Sequence, residues 1–171
     1  MLACQNPLPI RTHYMFPIEE FNRLRTPFYY YDTDLLRQTL KEIRNNMDSA
    51  MHVHYAVKAC ANHKILSIIA GEGFGADCVS GGEIKAALQA GFPADKIVYA
   101  GVGKSDWEIE LGLDTGIFAF NVESIPELEI INQLAISKGK KARIAFRINP
   151  NVGAHTHANI TTGLAENKFG I

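Results

Sequence analysis

Residues 52–91 read HVHYAVKACANHKILSIIAGEGFGADCVSGGEIKAALQAG, and this stretch decides the fold. It contains two apolar runs of strand length, and each run is followed by an amphipathic pattern of helix length. The same alternation continues and predicts five strands, at 52–58, 74–79, 96–101, 116–122 and 142–149. Helical patterns lie near 32–47, 62–72, 80–91, 104–113 and 123–138. Because a helix separates each strand from the next, right-handed crossovers would place the strands in a parallel sheet, and the predicted class is α/β.

Two of these strands are expected to have one apolar face and one mixed face, because successive side chains alternate across a strand. The apolar faces carry Val53, Tyr55 and Val57 in the first strand, and Ile144, Phe146 and Ile148 in the last. The mixed faces carry His52, His54, Ala56 and Lys58 in the first, and Arg143, Ala145, Arg147 and Asn149 in the last. A barrel explains both patterns, since its apolar faces pack under helices and its inner faces end at the carboxyl-terminal rim. Lys58 and Arg147 would then converge on one mouth.

An open doubly wound sheet is the rival architecture, and it also binds ligands at the carboxyl ends of its strands. The first strand–helix turn lacks the glycine-rich fingerprint of dinucleotide binding, and the glycines of 71–75 precede a strand and predict a helix stop. We therefore expect the N-terminal portion of a (β/α)8 TIM barrel, with about five of the eight units present. Residues 1–31 would form an N-terminal arm and residues 32–171 a partial barrel, within a longer enzyme.

Polar residues of the capping type stand at the predicted helix starts. Ser80 is followed three positions on by Glu83, and Ser105 by Glu108, which is the capping-box spacing. Asn121 or Ser124 is expected to cap the last helix. Lys104 precedes one of these starts and is interpreted as a solvated residue.

The composition indicates a soluble protein that acts on small molecules. The 171 residues are 47% hydrophobic and carry a net charge of -1, so the chain can bury a core and has no global basic field for nucleic acid. Residues 1–20 contain neither a secretory apolar region nor a membrane span, which makes the cytoplasm the expected location. Cys4, Cys60 and Cys78 are odd in number and widely spaced, and we expect three reduced thiols.

Lys58 is the candidate reactive residue because it stands where an apolar strand run ends. An apolar setting would lower the pKa of its ammonium and make the amine nucleophilic, as Schiff-base chemistry requires. From position alone, a lysine that buries its stem and places its ammonium in solvent is the simpler interpretation.

Seven segments of the chain carry a resemblance to a known family. They are TPFYYYD (26–32), YAVKA (55–59), ADCVSGGE (76–83), GK (103–104), NVES (121–124), RINP (147–150), and TG (162–163) through KFG (168–170). In order and spacing they resemble the diaminopimelate decarboxylases, which belong to the alanine-racemase-like, fold type III group of pyridoxal-phosphate enzymes. The resemblance covers nearly the whole chain from residue 26 onward.

The resemblance implies roles for four residues. Lys58 would form the Schiff base with pyridoxal 5'-phosphate, and Asp77 would be the carboxylate close to this lysine and the cofactor. Arg147 would approach the phenolic oxygen of the cofactor, although a structural salt bridge is an equal alternative. His54 is a candidate contact on the inner wall, for which a hydrogen-bonded core histidine is the simpler explanation.

For the whole protein, the resemblance implies decarboxylation of meso-diaminopimelate to L-lysine and CO2, the last step of lysine biosynthesis. It also implies a homodimer in which the N-terminal arm associates with a C-terminal β-domain. The alternatives are a decarboxylase acting on ornithine, arginine or carboxynorspermidine, a non-catalytic or regulatory homologue that binds pyridoxal phosphate, and an inactive fragment.

Two positions depart from the family pattern, since Cys60 and Val102 stand where the family usually has asparagine. Both exchanges remove an amide group near the expected site. The pairs His52 with His54 and His155 with His157 could bind a metal, because alternate strand residues share a face. No third ligand at a suitable spacing is evident, so we expect no metal site.

Overall fold

The computed structural model describes residues 16–149 and 169–171, and the chain divides at Asp32 into two compact units. In the first unit, the short helix α1, Ile18–Phe21, belongs to a cluster of aromatic side chains. The ring of Phe21 lies 5.3 Å from that of Phe28 and 5.0 Å from that of Tyr30. No helix of the described residues is long and apolar enough to cross a membrane.

The second unit begins with helix α2, Thr33–Asn46, and contains a single five-stranded sheet. The strands are β1 His54–Ala56, β2 Gly75–Cys78, β3 Ile97–Tyr99, β4 Ala119–Val122 and β5 Ile144–Phe146. Helices α3 His63–Gly71, α4 Gly81–Gln89, α5 Asp106–Thr115 and α6 Ile125–Ser137 connect them, with short 3-10 turns at Val57–Ala59 and Ala94–Lys96. All neighbouring strands are parallel and follow chain order, which confirms the α/β prediction. An order without reversal is that of a barrel wall rather than of a doubly wound sheet.

The main core lies between the helices and one face of the sheet. Alternate residues of the three central strands are buried there, and they are Ala76, Cys78, Ile97, Tyr99, Phe120 and Val122. The helices supply Leu66, Ile69, Ile84, Ile109 and Ile131, each at most 1% exposed. Burying one such leucine or isoleucine side chain contributes about 1.5–3 kcal/mol. This packing fixes the opposite face of the sheet, on which Asp77 pairs in register with Ala56 and Val98.

The outer strands differ from their predicted form. β1 ends at Ala56, so Lys58 lies in the 3-10 turn that follows the strand and not in the strand itself. The apolar face predicted for the last strand is only partly covered, because β5 is an edge strand. Its residues Ile144 and Phe146 are 37% and 51% exposed.

The predicted capping motifs are confirmed at the carboxyl-terminal end of the sheet. The Ser80 hydroxyl accepts a hydrogen bond from the Glu83 N–H at 3.2 Å, and the Ser105 N–H donates to Glu108 at 3.0 Å. Ser124, not Asn121, caps the last helix by accepting from the Glu127 N–H at 3.3 Å.

The capping glutamates also hold backbone groups outside their own helices. Glu83 accepts the Val79 N–H at 2.8 Å, and Glu127 accepts the Glu123 N–H at 3.2 Å. Glu108, in α5, also reaches the start of the preceding helix α4 and accepts the Gly81 N–H at 2.7 Å. The carboxyl-terminal rim is therefore fixed by side-chain carboxylates as well as by the sheet.

Candidate active site

A cavity of about 610 Å³ opens at the carboxyl ends of the strands. Lys58, Asp77 and Arg147, which the sequence singles out, all line it. They come from three different places in the chain, namely the turn after β1, β2 and the residue after β5. Asn121 and Glu123 contribute the wall between them. The parallel strands thus bring Lys58 and Arg147 to one mouth, as their inward parity predicts.

Lys58 is held in place by its neighbours in the chain, and its side chain makes no hydrogen bond or ion pair with the residues that the structure describes. Val57 is fully buried, and the Tyr55 hydroxyl donates to the Cys60 carbonyl at 3.3 Å across the turn. Burial raises the pKa of Tyr55, as does the nearby Cys60 thiol, so the hydroxyl remains a donor. Lys58 itself is exposed, and the apolar enclosure expected around its amine is not provided by the described residues.

Asp77 has one carboxylate oxygen that no described residue engages. Its Oδ1 is buried and has no hydrogen-bond partner among the described residues. Burial raises the pKa of Asp77, and the positive charges of Lys58, His54 and Arg147 oppose that effect. A buried polar oxygen without a partner is costly, and its presence in a native protein calls for an explanation such as a catalytic role or a bound water or ion.

Arg147 is paired with a residue that the sequence analysis did not single out. Its Nη1 lies 2.9 Å from both carboxylate oxygens of Glu123, which also accepts the Gly101 N–H at 3.0 Å. The Glu123 side chain is only 2% exposed, whereas that of Arg147 is 35% exposed. One signal for Glu123 was present in the sequence, since a charged residue directly follows the apolar strand β4 at the rim.

The solvated position expected for Lys104 is wrong, because its side chain is only 1% exposed. The ammonium donates to the carbonyls of Gly101 and Asn121 at 2.7 and 2.9 Å, and to Glu127 at 2.5 Å. It also lies 5.2 Å from the ring centre of Tyr99. Burial of an ammonium requires pairing of this kind, and no donor is left for a ligand.

His54 is not among the described residues that line the cavity of Lys58, although its charge acts on Asp77. With His52, it lines a smaller cavity of about 170 Å³ at the amino-terminal ends of β1 and β2. A Cβ at Gly75 would lie only 2.6 Å from the His54 Nδ1, so glycine is needed beside this ring. The Nδ1 is buried without a partner among the described residues.

The candidate metal ligands do not form a cluster where the structure describes them. Residues 16–149 and 169–171 contain no group of three histidine, cysteine, aspartate or glutamate side chains that could hold a metal ion. His155 and His157 lie outside the described residues, as does the segment of the family resemblance at 162–168.

Cys60 and Val102, the two residues that depart from the family pattern, lie in different surroundings. The Cys60 carbonyl accepts from Tyr55, as described above, so the main chain at this position is engaged whatever its side chain. Val102 is 49% exposed and lies between Gly101 and Gly103, both of which have positive φ. This loop turns Lys104 inward, because glycine adopts such conformations without steric cost.

Comparisons with known proteins agree with this arrangement. The family described as pyridoxal-dependent decarboxylase, pyridoxal binding domain, matches residues 33–171. The chain is 69% identical over 159 residues to a diaminopimelate decarboxylase of Bacteroides thetaiotaomicron, covering 92% of this chain and 41% of the relative. It is 50% identical over 159 residues to one of Helicobacter pylori, with 92% and 39% covered.

Solved structures show the same relationship. A crystal structure of Helicobacter pylori diaminopimelate decarboxylase complexed with L-lysine matches with a TM-score of 0.82 and 49% identity, covering 90% of this chain and 39% of that one. An arginine decarboxylase of Paramecium bursaria Chlorella virus, at 23% identity and a TM-score of 0.59, shares the fold alone. The chain spans about two-fifths of the length of the curated relatives it matches. Because the family match extends over most of its length, the chain belongs to the pyridoxal-dependent decarboxylases and forms part of their pyridoxal-binding domain.

Proposed function

We propose that the protein carrying this chain decarboxylates meso-diaminopimelate to L-lysine and CO2 with pyridoxal 5'-phosphate as cofactor. The observation that carries the proposal is the convergence of Lys58, Asp77 and Arg147 on one cavity at the barrel rim. Its substrate rests on the diaminopimelate decarboxylases that resemble this chain at 69% and 50% identity. On the same resemblance we propose a homodimer that works in the cytoplasm.

The residues of the cavity fit pyridoxal phosphate. The cofactor needs an amine for covalent attachment, and the exposed Lys58 lies at the cavity mouth. It carries anionic oxygens, which suit the guanidinium of Arg147. The buried Oδ1 of Asp77 has no partner among the described residues and can accept a hydrogen bond from a bound group. When bound, the cofactor supplies a conjugated ring that takes up the electron pair left behind as CO2 departs.

The chain's own residues divide the remaining work. Lys58 Nζ would hold the cofactor covalently, and its place at the cavity mouth would allow it to carry a proton there. Asp77 is fixed by its pairing with Ala56 and Val98, and the positive charge of Lys58 acts on its carboxylate. Arg147 would donate hydrogen bonds to the phenolic oxygen of the cofactor. Each group is thus positioned by a different element of a rigid scaffold.

Loss of the lysine tests the proposal. The protein carrying Lys58→Ala is expected to lose the yellow absorbance of bound cofactor and the borohydride-fixed label on this residue. Its CO2 release should fall at least about 100-fold, the lower end of what a positioned acid–base group contributes. Lys64→Ala is the matched control, because Lys64 is exposed on α3 outside the cavity. A borohydride-fixed label that persists in Lys58→Ala would sink the assignment.

A substrate comparison tests the reaction. Release of CO2 from meso-diaminopimelate, ornithine, arginine and carboxynorspermidine is measured side by side with the unaltered protein. Diaminopimelate is expected to have the highest kcat/KM. A preference for another of the four amines would identify one of the alternative decarboxylases, and covalent cofactor binding without CO2 release from any of them would identify a non-catalytic binder.

A further inference from the structure

Glu123 is a charged residue whose side chain is almost completely buried, with 2% of it exposed. Its carboxylate accepts hydrogen bonds from the Gly101 N–H and from Arg147 Nη1, so its charge is compensated within the protein. Replacing a buried ion pair by apolar groups is often neutral or favourable for stability, so stability alone does not explain this one.

The position of the Glu123 carboxylate is fixed from three sides. Its own N–H donates to Glu127, which is held by Lys104 at 2.5 Å. The Gly101 N–H binds one carboxylate oxygen from the loop after β3. Val122, the preceding residue, is fully buried in the core. Glu123 is therefore a rigid acceptor.

The Arg147 side chain has much less support of its own, whereas its main chain is held by hydrogen bonds with Val122 and Ile171. It follows β5, the edge strand whose three residues are all exposed, and its side chain is one-third exposed. Only Nη1 is engaged by Glu123, and the described residues offer no acceptor for the other guanidinium nitrogens. Because the guanidinium is a planar fork, fixing one nitrogen also fixes the direction of the others. Arg147 lines the same cavity as Lys58 and Asp77.

We propose that Glu123 is a positioning residue, which holds the Arg147 guanidinium so that its remaining donors meet an anionic oxygen of the cofactor. This inference rests on the proposed function, because it assigns Arg147 to the cofactor cavity. In this role Glu123 acts through Arg147, although it also lines the cavity. A flexible side chain that is already oriented loses less entropy when it binds a ligand, so Glu123 contributes to affinity through Arg147.

The test is a double-mutant cycle read out as the Kd of pyridoxal phosphate without substrate. Arg147→Met is expected to weaken binding roughly 10-fold or more, since it removes a charge-assisted hydrogen bond. Glu123→Gln keeps the size of the side chain and an acceptor for Gly101, and should weaken binding roughly 3- to 10-fold. In the Arg147→Met background, Glu123→Gln should change the Kd by less than about 2-fold, because the residue it positions is gone. Glu129→Gln, on the exposed side of α6, is the matched control.

The outcomes separate this proposal from the proposed function. If Arg147→Met weakens binding and Glu123→Gln does not, the positioning role is wrong and the cofactor site stands. If Glu123→Gln acts equally in both backgrounds, Glu123 does not act through Arg147. An unchanged Kd in Arg147→Met would instead remove Arg147 from the cofactor site.

Thermal unfolding of each variant distinguishes a purely structural pair. Such a pair would lower Tm in both single variants and leave the Kd of folded protein unchanged, a result that overturns the proposal. If Glu123→Gln does not fold, Glu123→Asp replaces it, because it keeps the charge on a side chain one methylene shorter. It is expected to weaken binding in the wild-type background and not in Arg147→Met, and an unchanged Kd would again overturn the proposal.

Discussion

Two ion pairs stand close together at the carboxyl ends of the strands, and they differ in how completely they are closed. In the pair Lys104–Glu127, the side chains are 1% and 10% exposed, and the ammonium has three acceptors. In the pair Arg147–Glu123, the Glu123 side chain is only 2% exposed, but the Arg147 side chain is 35% exposed and one of its nitrogens is engaged. We call the first the closed pair and the second the open pair. The difference teaches that a charged group with all its donors engaged stabilises the fold, whereas a charged group with donors still available can bind a ligand.

The largest effect is expected from breaking the closed pair. Lys104→Met would leave the Glu127 carboxylate buried without its cation, and the free energy of unfolding should fall by about 3–5 kcal/mol. Urea unfolding of the protein measures this change. Lys64→Met, an exposed change of the same kind, is the control. The double variant Lys104→Met with Glu127→Gln should recover part of the loss, because no uncompensated charge remains. A loss as small as that of the control would mean that the pair is not closed.

Breaking the open pair should cost less. Arg147→Met leaves Glu123 with the Gly101 N–H and beside a cavity that admits water, so the expected loss is about 1–3 kcal/mol. The same unfolding measurement in urea applies. The comparison would break if this variant were destabilised as strongly as Lys104→Met, because the open pair would then have a mainly structural role.

Glu108 resembles the closed pair, because protein groups donate several hydrogen bonds to its carboxylate. We therefore expect its contribution to stability to be lost in acid. Burial alone would raise its pKa, but hydrogen bonds from the Gly81 N–H and from the N–H and hydroxyl of Ser105 lower the pKa to about 2. Its contribution to stability should therefore be complete above its ordinary pKa of 4.5 and disappear as the pH falls through about 2.

Glu108→Gln should lower the free energy of unfolding by about 1–2 kcal/mol at pH 7, as expected for the loss of a helix cap. The difference from the unaltered protein should shrink as the pH falls from 4.5 toward 2. Urea unfolding at several pH values, with Glu129→Gln as control, checks this. A difference that stays constant over the whole range would contradict the depressed pKa.

Asp77 resembles the open pair, because one of its carboxylate oxygens has no partner among the described residues. Its substitution is expected to have the smallest effect on stability, and to raise stability rather than lower it. Burial raises its pKa, so ionised Asp77 disfavours folding once the pH exceeds its ordinary value of 3.8. Asp77→Asn should stabilise the cofactor-free protein slightly at pH 7, by less than the loss in Glu108→Gln, and not below pH 3.8. Thermal unfolding at both pH values measures it. A stability loss at pH 7 would place Asp77 with the closed groups.

Local patterns were sufficient to predict the parallel sheet and the rim. The alternation of strand and helix gave the element order, and serine–glutamate spacing gave the helix starts, because both depend on residues near in sequence. The same holds for Lys58, which directly follows the first strand, whereas Asp77 was expected only from the family resemblance. Strand length was overestimated, since hydrogen bonds between strands decide where pairing stops. β1 has three residues where the sequence predicted seven.

The ion pairs Arg147–Glu123 and Lys104–Glu127 could not be predicted in this way, because each joins residues from different strand–helix repeats of the sheet. Arg147 and Glu123 are 24 positions apart, and Lys104 and Glu127 are 23 apart. Nothing near Lys104 in the sequence indicates that its ammonium finds two carbonyls in the folded protein. The inward turn depends on the positive φ of Gly101 and Gly103, which becomes visible only in the structure.

The hydrogen bond between Glu108 and Gly81 links two successive strand–helix repeats of the sheet, so a change in one repeat can be detected in the other. Amide protons in the first turn of a helix have no intrahelical partner and usually exchange rapidly with solvent. Here the Gly81 N–H is held by a carboxylate from the next unit along the chain. Its exchange rate therefore reports whether the unit that follows is in place. Hydrogen exchange at this one amide gives a direct readout of cooperation between successive units of the barrel wall.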